Sequence, residues 1–171
     1  DMIEWAIYSG MRRGEIFKLR HPDVRDGLIH TGSKTRKRAR TVPLNVSARL
    51  GEILKRRPRR IGSDLVFYGT DGKAVPPDAT NKALRRVWER AGITRPKGGL
   101  WNVFRHTWAT RLAATGKVSI FEISKWMGNS VTICERHYAA YLPGSLEKSA
   151  GLLDGMATGV ALTVAPTVAG E

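Results

Sequence analysis

Four separated stretches carry the side chains from which a phosphate site could be assembled. "SGMRRGE" (9–15) places Arg12 at a turn into a helix, with Glu15 three residues on and able to pair with it. "GSKTRKRARTVPL" (32–44) places Lys34 in a hairpin turn crowded with cations. "WNVFRHT" (101–107) places Arg105 on a helix, and "RHYAAY" (136–141) offers Tyr138, with Tyr141 three residues further on. Transfer of a phosphoryl group needs its non-bridging oxygens neutralised, and guanidinium forks match them in shape and charge. It also needs a nucleophile and a group that protonates the leaving oxygen. Two arginines, a lysine and a tyrosine could supply all of this without a metal or cofactor.

Taken singly, each residue has a plainer reading. Arg12 and Arg13 read as solvated cations, and Lys34 as one of many in its turn. Tyr138 follows Cys134 by four residues, as a packing tyrosine with a wet hydroxyl would. Arg105 resists that treatment. It stands among Trp101, Val103, Phe104 and Trp108, and an arginine in apolar company needs an anion or a carboxylate.

The 171 residues suffice for one domain with a proper core, and 42% of them are hydrophobic, five being Trp. Lys and Arg number 29 against 15 Asp and Glu, a formal charge of +14. Such an excess suits a polyanion, with nucleic acid the first candidate. No stretch is long and apolar enough to span a membrane. No signal peptide opens the chain, and its single cysteine, Cys134, excludes an internal disulfide, so a reducing, cytoplasmic setting is expected.

The elements that must position these residues are legible in outline. "DMIEWAIYSG" reads as the tail of a helix already under way, and "RRGEIFKLR" as a short one with Ile16 and Leu19 inward. "DVRDGLIHTG" reads as a strand and "RARTVPL" as another. Leu50, Ile53 and Leu54 mark a helix, and Leu84, Val87, Trp88 and Ala91 form the apolar stripe of a second. "LWNVFRHTWATRLAATG" is helical up to Gly116, "SIFE" is a capping box, Gly128 ends the helix it opens, and Ser130 caps the helix that carries Tyr138. The fold class is α+β, mainly helical, with a small antiparallel sheet near the N-terminal end. Residues 1–150 form the domain and 151–171 a flexible tail.

In order and spelling, the four stretches resemble the catalytic domain of tyrosine recombinases, the phage integrase family. The family's first arginine box, roughly T-G-x-R-x-x-E, is matched by "SGMRRGE". Its hairpin, T-K followed by a basic turn and R-x-V-P-L, is matched by "SKTRKRARTVPL", one residue longer than the commonest spacing. Lys34 is the better match to the catalytic lysine, with Lys37 its competitor. The second box, H-x-x-R-H-T, is matched by "NVFRHT", and the last by "MGNSVTICERHY", which selects Tyr138. Two positions depart from the pattern. Asn102 stands where the family has a histidine three before Arg105, and Asn129 where it has His or Trp after the Leu-Gly pair. Asparagine donates hydrogen bonds but shuttles no proton. His106 is not expected to compensate, since one residue along a helix turns a side chain about 100° from Arg105.

The resemblance implies a DNA breaking-rejoining fold, here without the family's N-terminal DNA-clamping domain. It implies that Tyr138 attacks a phosphodiester of double-stranded DNA, that Arg12 and Arg105 hold the phosphate, and that Lys34 protonates the leaving oxygen. Asn102 and Asn129 add neutral hydrogen bonds, and Glu15 orients Arg12. "RKRAR" and "KRRPRR" track backbone phosphates. Self-association on DNA, as a tetramer, goes with the family, and a helix over "PGSLEKSAGLLDGM" would dock on a neighbouring subunit through Leu146, Leu152 and Leu153. With both histidines replaced, slow cleavage without a titration near pH 6.5 is expected. A non-cleaving DNA-binding relic of the same fold, a basic RNA- or ribosome-binding module, and a type IB topoisomerase-like enzyme are the alternatives.

Overall fold

The computed structural model describes residues 1–32, 39–94 and 99–144. Its helices are α1 (Met2–Ser9), α2 (Arg13–Ile16), α3 (Ala48–Arg56), α4 (Pro77–Arg90), α5 (Leu100–Thr115), α6 (Ile120–Met127) and α7 (Val131–Tyr138). The strands are β1 (Val24–Arg25), β2 (Leu28–Thr31) and β3 (Arg40–Pro43), antiparallel in the order β1-β2-β3. The mainly helical α+β class is the one the sequence implies. The proposed docking helix after Pro143, with its three leucines, lies outside the described residues.

"DVRDGLIHTG" forms two strands rather than one. Asp26 and Gly27 both take positive φ, 54° and 71°, which fits the two-residue hairpin turn whose twist matches its flanking strands. An Asp-Gly pair between weakly alternating residues is the signal for that turn. In β2 and β3, Ile29 faces Val42 and Thr31 faces Arg40. Alternation puts Arg40 on the same inner face as Val42, which is fully buried.

Helix α5 is the central support. Its inward stripe includes Trp101, Phe104, Arg105, Trp108 and Ala109 at helical spacing. Edge-to-face ring contacts run from Phe17 to Trp101, on to Phe104 and then to Trp88, with centroids 5.5–5.9 Å apart. These contacts fix the first half of the helix, and Arg105 with it. The Ser119 hydroxyl accepts the Glu122 backbone N–H at 3.2 Å, and Ser130 accepts from Ile133 at 3.3 Å, so the expected caps are present. Helix α4 departs from its expected stripe: Leu84 is buried, but Val87 is 55% exposed and Ala91 is exposed. It leans on α5 along one side, too narrow a contact to cover the whole stripe.

Gly10 closes α1 in the left-handed conformation, φ 61°. A Cβ there would meet Trp108 Cε3 at 2.4 Å. Left-handed strain costs a side chain about 1–2 kcal/mol and forced overpacking about 1–3 kcal/mol. Gly10→Ala is therefore expected to lower the unfolding free energy by about 2–5 kcal/mol. Urea titration should show it as an earlier midpoint with unchanged slope; an unmoved midpoint would mean the Trp108 contact yields freely.

Candidate active site

The C-terminus of α6 is where the distant motifs meet. Trp126 carbonyl oxygen accepts from Arg40 Nε, Met127 from Arg105 Nη2, and Gly128 from Arg12 Nη2 at 2.9 Å. The last carbonyls of a helix have no partner within it and carry the negative end of its dipole, so three guanidinium groups stabilise it. A second helix end contributes as well, since Gly10 after α1 accepts from Arg105 Nη1 at 2.6 Å. Gly128 adopts φ 65°, and a Cβ there would lie 2.9 Å from the Arg40 side chain. Only a residue without a side chain lets the turn close on the arginines.

Asn129 joins Arg12 to Arg105. Its Oδ1 accepts from Arg12 Nη2 at 3.2 Å and from Arg105 Nη2 at 3.3 Å. Arg105 is buried while the Arg12 side chain is 43% exposed, so one cation is fixed inside and the other faces outward. Burial first, then repulsion from Arg12 and Arg40, pushes the Arg105 guanidinium down to about 10. It stays protonated at neutral pH, in a site that favours an added anion.

Glu15 is the counter-charge. Sequence spacing pairs it with Arg12, and the structure does show that contact, Nη1 to Oε1 at 3.4 Å, with the Arg12 backbone N–H donating to Oε2 at 2.8 Å. Its tighter partner is Arg40, whose two terminal nitrogens grip both carboxylate oxygens, Nη2 to Oε2 at 2.7 Å. Burial works against ionising Glu15, but the hydrogen bonds and charge of Arg40, aided by Arg12, hold its carboxyl below the usual range. Three guanidinium groups against one carboxylate leave the cluster net positive.

Tyr138 sits at the end of α7, 2% exposed, on the same face as buried Cys134. Its hydroxyl lies 2.7 Å from His106 Nδ1. Burial raises the phenol's pKa above its ordinary value and nearby Cys134 adds to that, while the Arg105 charge pulls the other way. Tyr141, on the following turn, is 52% exposed.

Of the residues singled out from sequence, Arg12, Asn102 and Arg105 line one cleft of about 480 Å³ together with Arg85. Arg12 and Asn129 also line a neighbouring hollow with Glu15 and Arg40. Tyr138 lines neither. Lys34 and its competitor Lys37 lie outside the described residues. Two participants escaped sequence reasoning. Arg40 could have been found by counting back two from the buried Val42, because a cation on a core face needs a partner. His106 points about 100° away from Arg105 but follows Asn102 by four residues, which puts those two on the same helix face. The loop "KRRPRR" is also more self-engaged than expected: Arg56 and Arg57 pair with Asp1 and Glu4, and Arg60 packs over Tyr68. Among the described residues, no group of three or more His, Cys, Asp or Glu could hold a metal ion, and no helix is long and apolar enough to cross a membrane.

The sequence model of the phage integrase family matches residues 1–142. The catalytic domain of bacteriophage HP1 integrase superposes with a TM-score of 0.68 at 25% identity, over 94% of this chain and 84% of that one. XerH recombinase, in a post-cleavage complex with its palindromic difH substrate, gives 0.60 at 24% identity over 90% of this chain and 45% of its own. A lambda integrase tetramer bound to a Holliday junction gives 0.64 at 15% identity, over 80% and 41%. The chain spans about half the length of the XerH and XerA recombinases it matches. No curated protein matches it.

Arg40 and Glu15 yield a test of this framework. Removing one partner of a buried pair typically costs about 3–5 kcal/mol, and because Glu15 keeps Arg12, Arg40→Met should fall at or below the low end. The pH dependence has a definite sign. A carboxyl held low when folded stabilises fully above its unfolded pKa, and that contribution is lost as pH falls below about 4.5 toward the folded value. Denaturant titrations at pH 7 and pH 3 should show a large gap between wild type and Arg40→Met at the first and a small one at the second. An equal gap at both would place the stabilisation elsewhere.

Proposed function

Since this chain belongs to the phage integrase family, we propose that it is the catalytic domain of a site-specific recombinase that cuts and rejoins double-stranded DNA through a 3′-phosphotyrosyl intermediate. The convergence of Arg12 and Arg105 on Asn129, in a cluster with net positive charge, carries this reading. A phosphodiester entering the cleft meets an exposed guanidinium and a buried one already fixed by backbone carbonyls. Such preorganised donors stabilise the charge that builds in the transition state. Tyr138 is the nucleophile and leaves a free 5′-hydroxyl. Lys34 protonates the leaving oxygen, and Asn102 adds a neutral hydrogen bond from the cleft wall. Glu15, clamped by Arg40, orients Arg12. The bond energy stays in the covalent link, so religation reverses the step without ATP.

Double-stranded DNA is the partner, with Arg85 beside the cleft offering a further phosphate contact, and assembly on it follows the tetrameric arrangement of lambda integrase. Tyr138 must come out of its buried position to reach a phosphorus, by a shift of the last turn of α7. That burial favours a second reading, a DNA-binding protein that no longer cleaves.

A nicked suicide duplex separates the two. The first reading expects an adduct that survives denaturing electrophoresis and is abolished by Tyr138→Phe, while filter binding of the duplex is unchanged. A wild-type protein that binds and never forms the adduct supports the second. An adduct persisting in Tyr138→Phe would move the nucleophile to Tyr141. Duplex affinity should also fall steeply between 50 and 200 mM salt, because phosphate contacts release counterions; a flat response would exclude backbone-dominated binding.

A further inference from the structure

We propose that His106 is the proton acceptor for Tyr138, an inference that rests on Tyr138 being the nucleophile. The two groups are in hydrogen-bond contact, hydroxyl oxygen to Nδ1 at 2.7 Å, although they belong to different helices 32 residues apart in sequence. His106 also follows Asn102 by four residues on α5, so the imidazole rises from the face of the helix that forms the cleft wall. The proton function missing at position 102 is thereby available one helical turn away, with the ring already against the phenol.

The chemistry balances. The shift of the last turn of α7 carries Tyr138 to the phosphorus with its hydroxyl still on His106, and as the oxygen bonds there its O–H bond breaks and the proton passes to the Nδ1 lone pair. The bond from phosphorus to the 5′ oxygen breaks, and that oxygen takes a proton from Lys34. Religation runs in reverse, with the imidazolium returning its proton to the tyrosine oxygen. A buried phenol whose pKa is raised does not ionise unaided near neutrality, so an adjacent acceptor matters. The charged or titratable groups around the ring are Arg105 beside it on α5 and His137 and Tyr138 on α7, the two imidazole centroids lying 6.0 Å apart. Partial burial, then His137 and Arg105, lowers the pKa of His106, which keeps it neutral and able to accept at pH 7. It also disfavours the imidazolium once formed, which helps return the proton during religation.

Single-turnover cleavage of a nicked suicide duplex across pH 5–8 tests the proposal with the full chain. Wild type should lose activity on the acid side, below pH 6.5, as the imidazole takes up a proton. This is the opposite of the featureless profile expected from the two asparagines alone. His106→Gln keeps a hydrogen-bonding side chain without a basic nitrogen. It should cleave about 10²–10⁴-fold more slowly, lose the acid limb and bind DNA as before. Wild-type rates and profile in His106→Gln and His106→Ala would overturn the proposal and leave the nucleophile standing. Faster cleavage in either would overturn it too, marking the contact as a latch. A wild type without a Tyr138-dependent adduct sinks the nucleophile reading itself, and the proposal with it. Nitrogen-15 NMR of His106 gives a readout apart from activity. Nδ1 should be unprotonated at pH 7 and shift on Tyr138→Phe, and a proton resident on Nδ1 would overturn the assignment.

Discussion

Three successive carbonyl oxygens at the end of α6 each receive a guanidinium from a different part of the chain. Much of the site follows from that convergence. A helix terminus must find donors for its last carbonyls, and here the donors arrive from β3, from α5 and from the turn before α2. The requirement works in both directions, because each buried or half-buried arginine needs acceptors to compensate for lost water. Arg105 meets that need with Gly10, Met127 and Asn129, leaving it buried, charged and fixed in direction.

This arrangement explains why the cluster tolerates so much like charge. Arg12, Arg40 and Arg105 would repel one another strongly in a dry interior. Helix-end carbonyls, the Glu15 carboxylate and the Asn129 amide oxygen offset the repulsion without neutralising it. The remaining positive charge is what an incoming phosphate would complete. Gly10 and Gly128 belong to the same device, since both turn in the left-handed region and both lie where a side chain would strike a ring or an arginine.

Tyr138 is held by a different logic. Tyr138 packs with Cys134 on the inner face of α7, and its hydroxyl finds a nitrogen instead of water. A buried phenol needs a hydrogen-bond partner, and the partner chosen decides whether the group is inert or can lose its proton. The guanidinium cluster gathers at the end of α6, while the His106 imidazole contacts the phenol and the His137 ring. The guanidinium cluster and the Tyr138–His106 contact are thus built from different hydrogen bonds.

The helices, their caps and the mainly helical class were legible from sequence because they depend on local rules: Ser119 and Ser130 at helix starts, Gly116 and Gly128 at helix ends, and an apolar stripe around Trp101 and Trp108. Motif order also singled out Arg12, Arg105, Asn129 and Tyr138 before any geometry. Local rules did not reach the hairpin at Asp26–Gly27, where paired turn residues split an apparent strand, nor Val87, whose burial depended on how much of α4 a neighbour would cover. Arg40 shows the limit most clearly. Its alternation with Val42 is written in the chain, but that it would clamp Glu15 of α2 while donating to Trp126 of α6 depends on how those elements meet around β3. For His106, spacing along α5 fixes only the face. That Tyr138 comes to rest on that face follows from the packing of α7 against α5, an interaction between residues far apart in sequence that no helical period encodes. The residue types that do chemistry belong to the sequence; which of them touch is decided by the core, because contact between separate elements is set by how their buried faces fit.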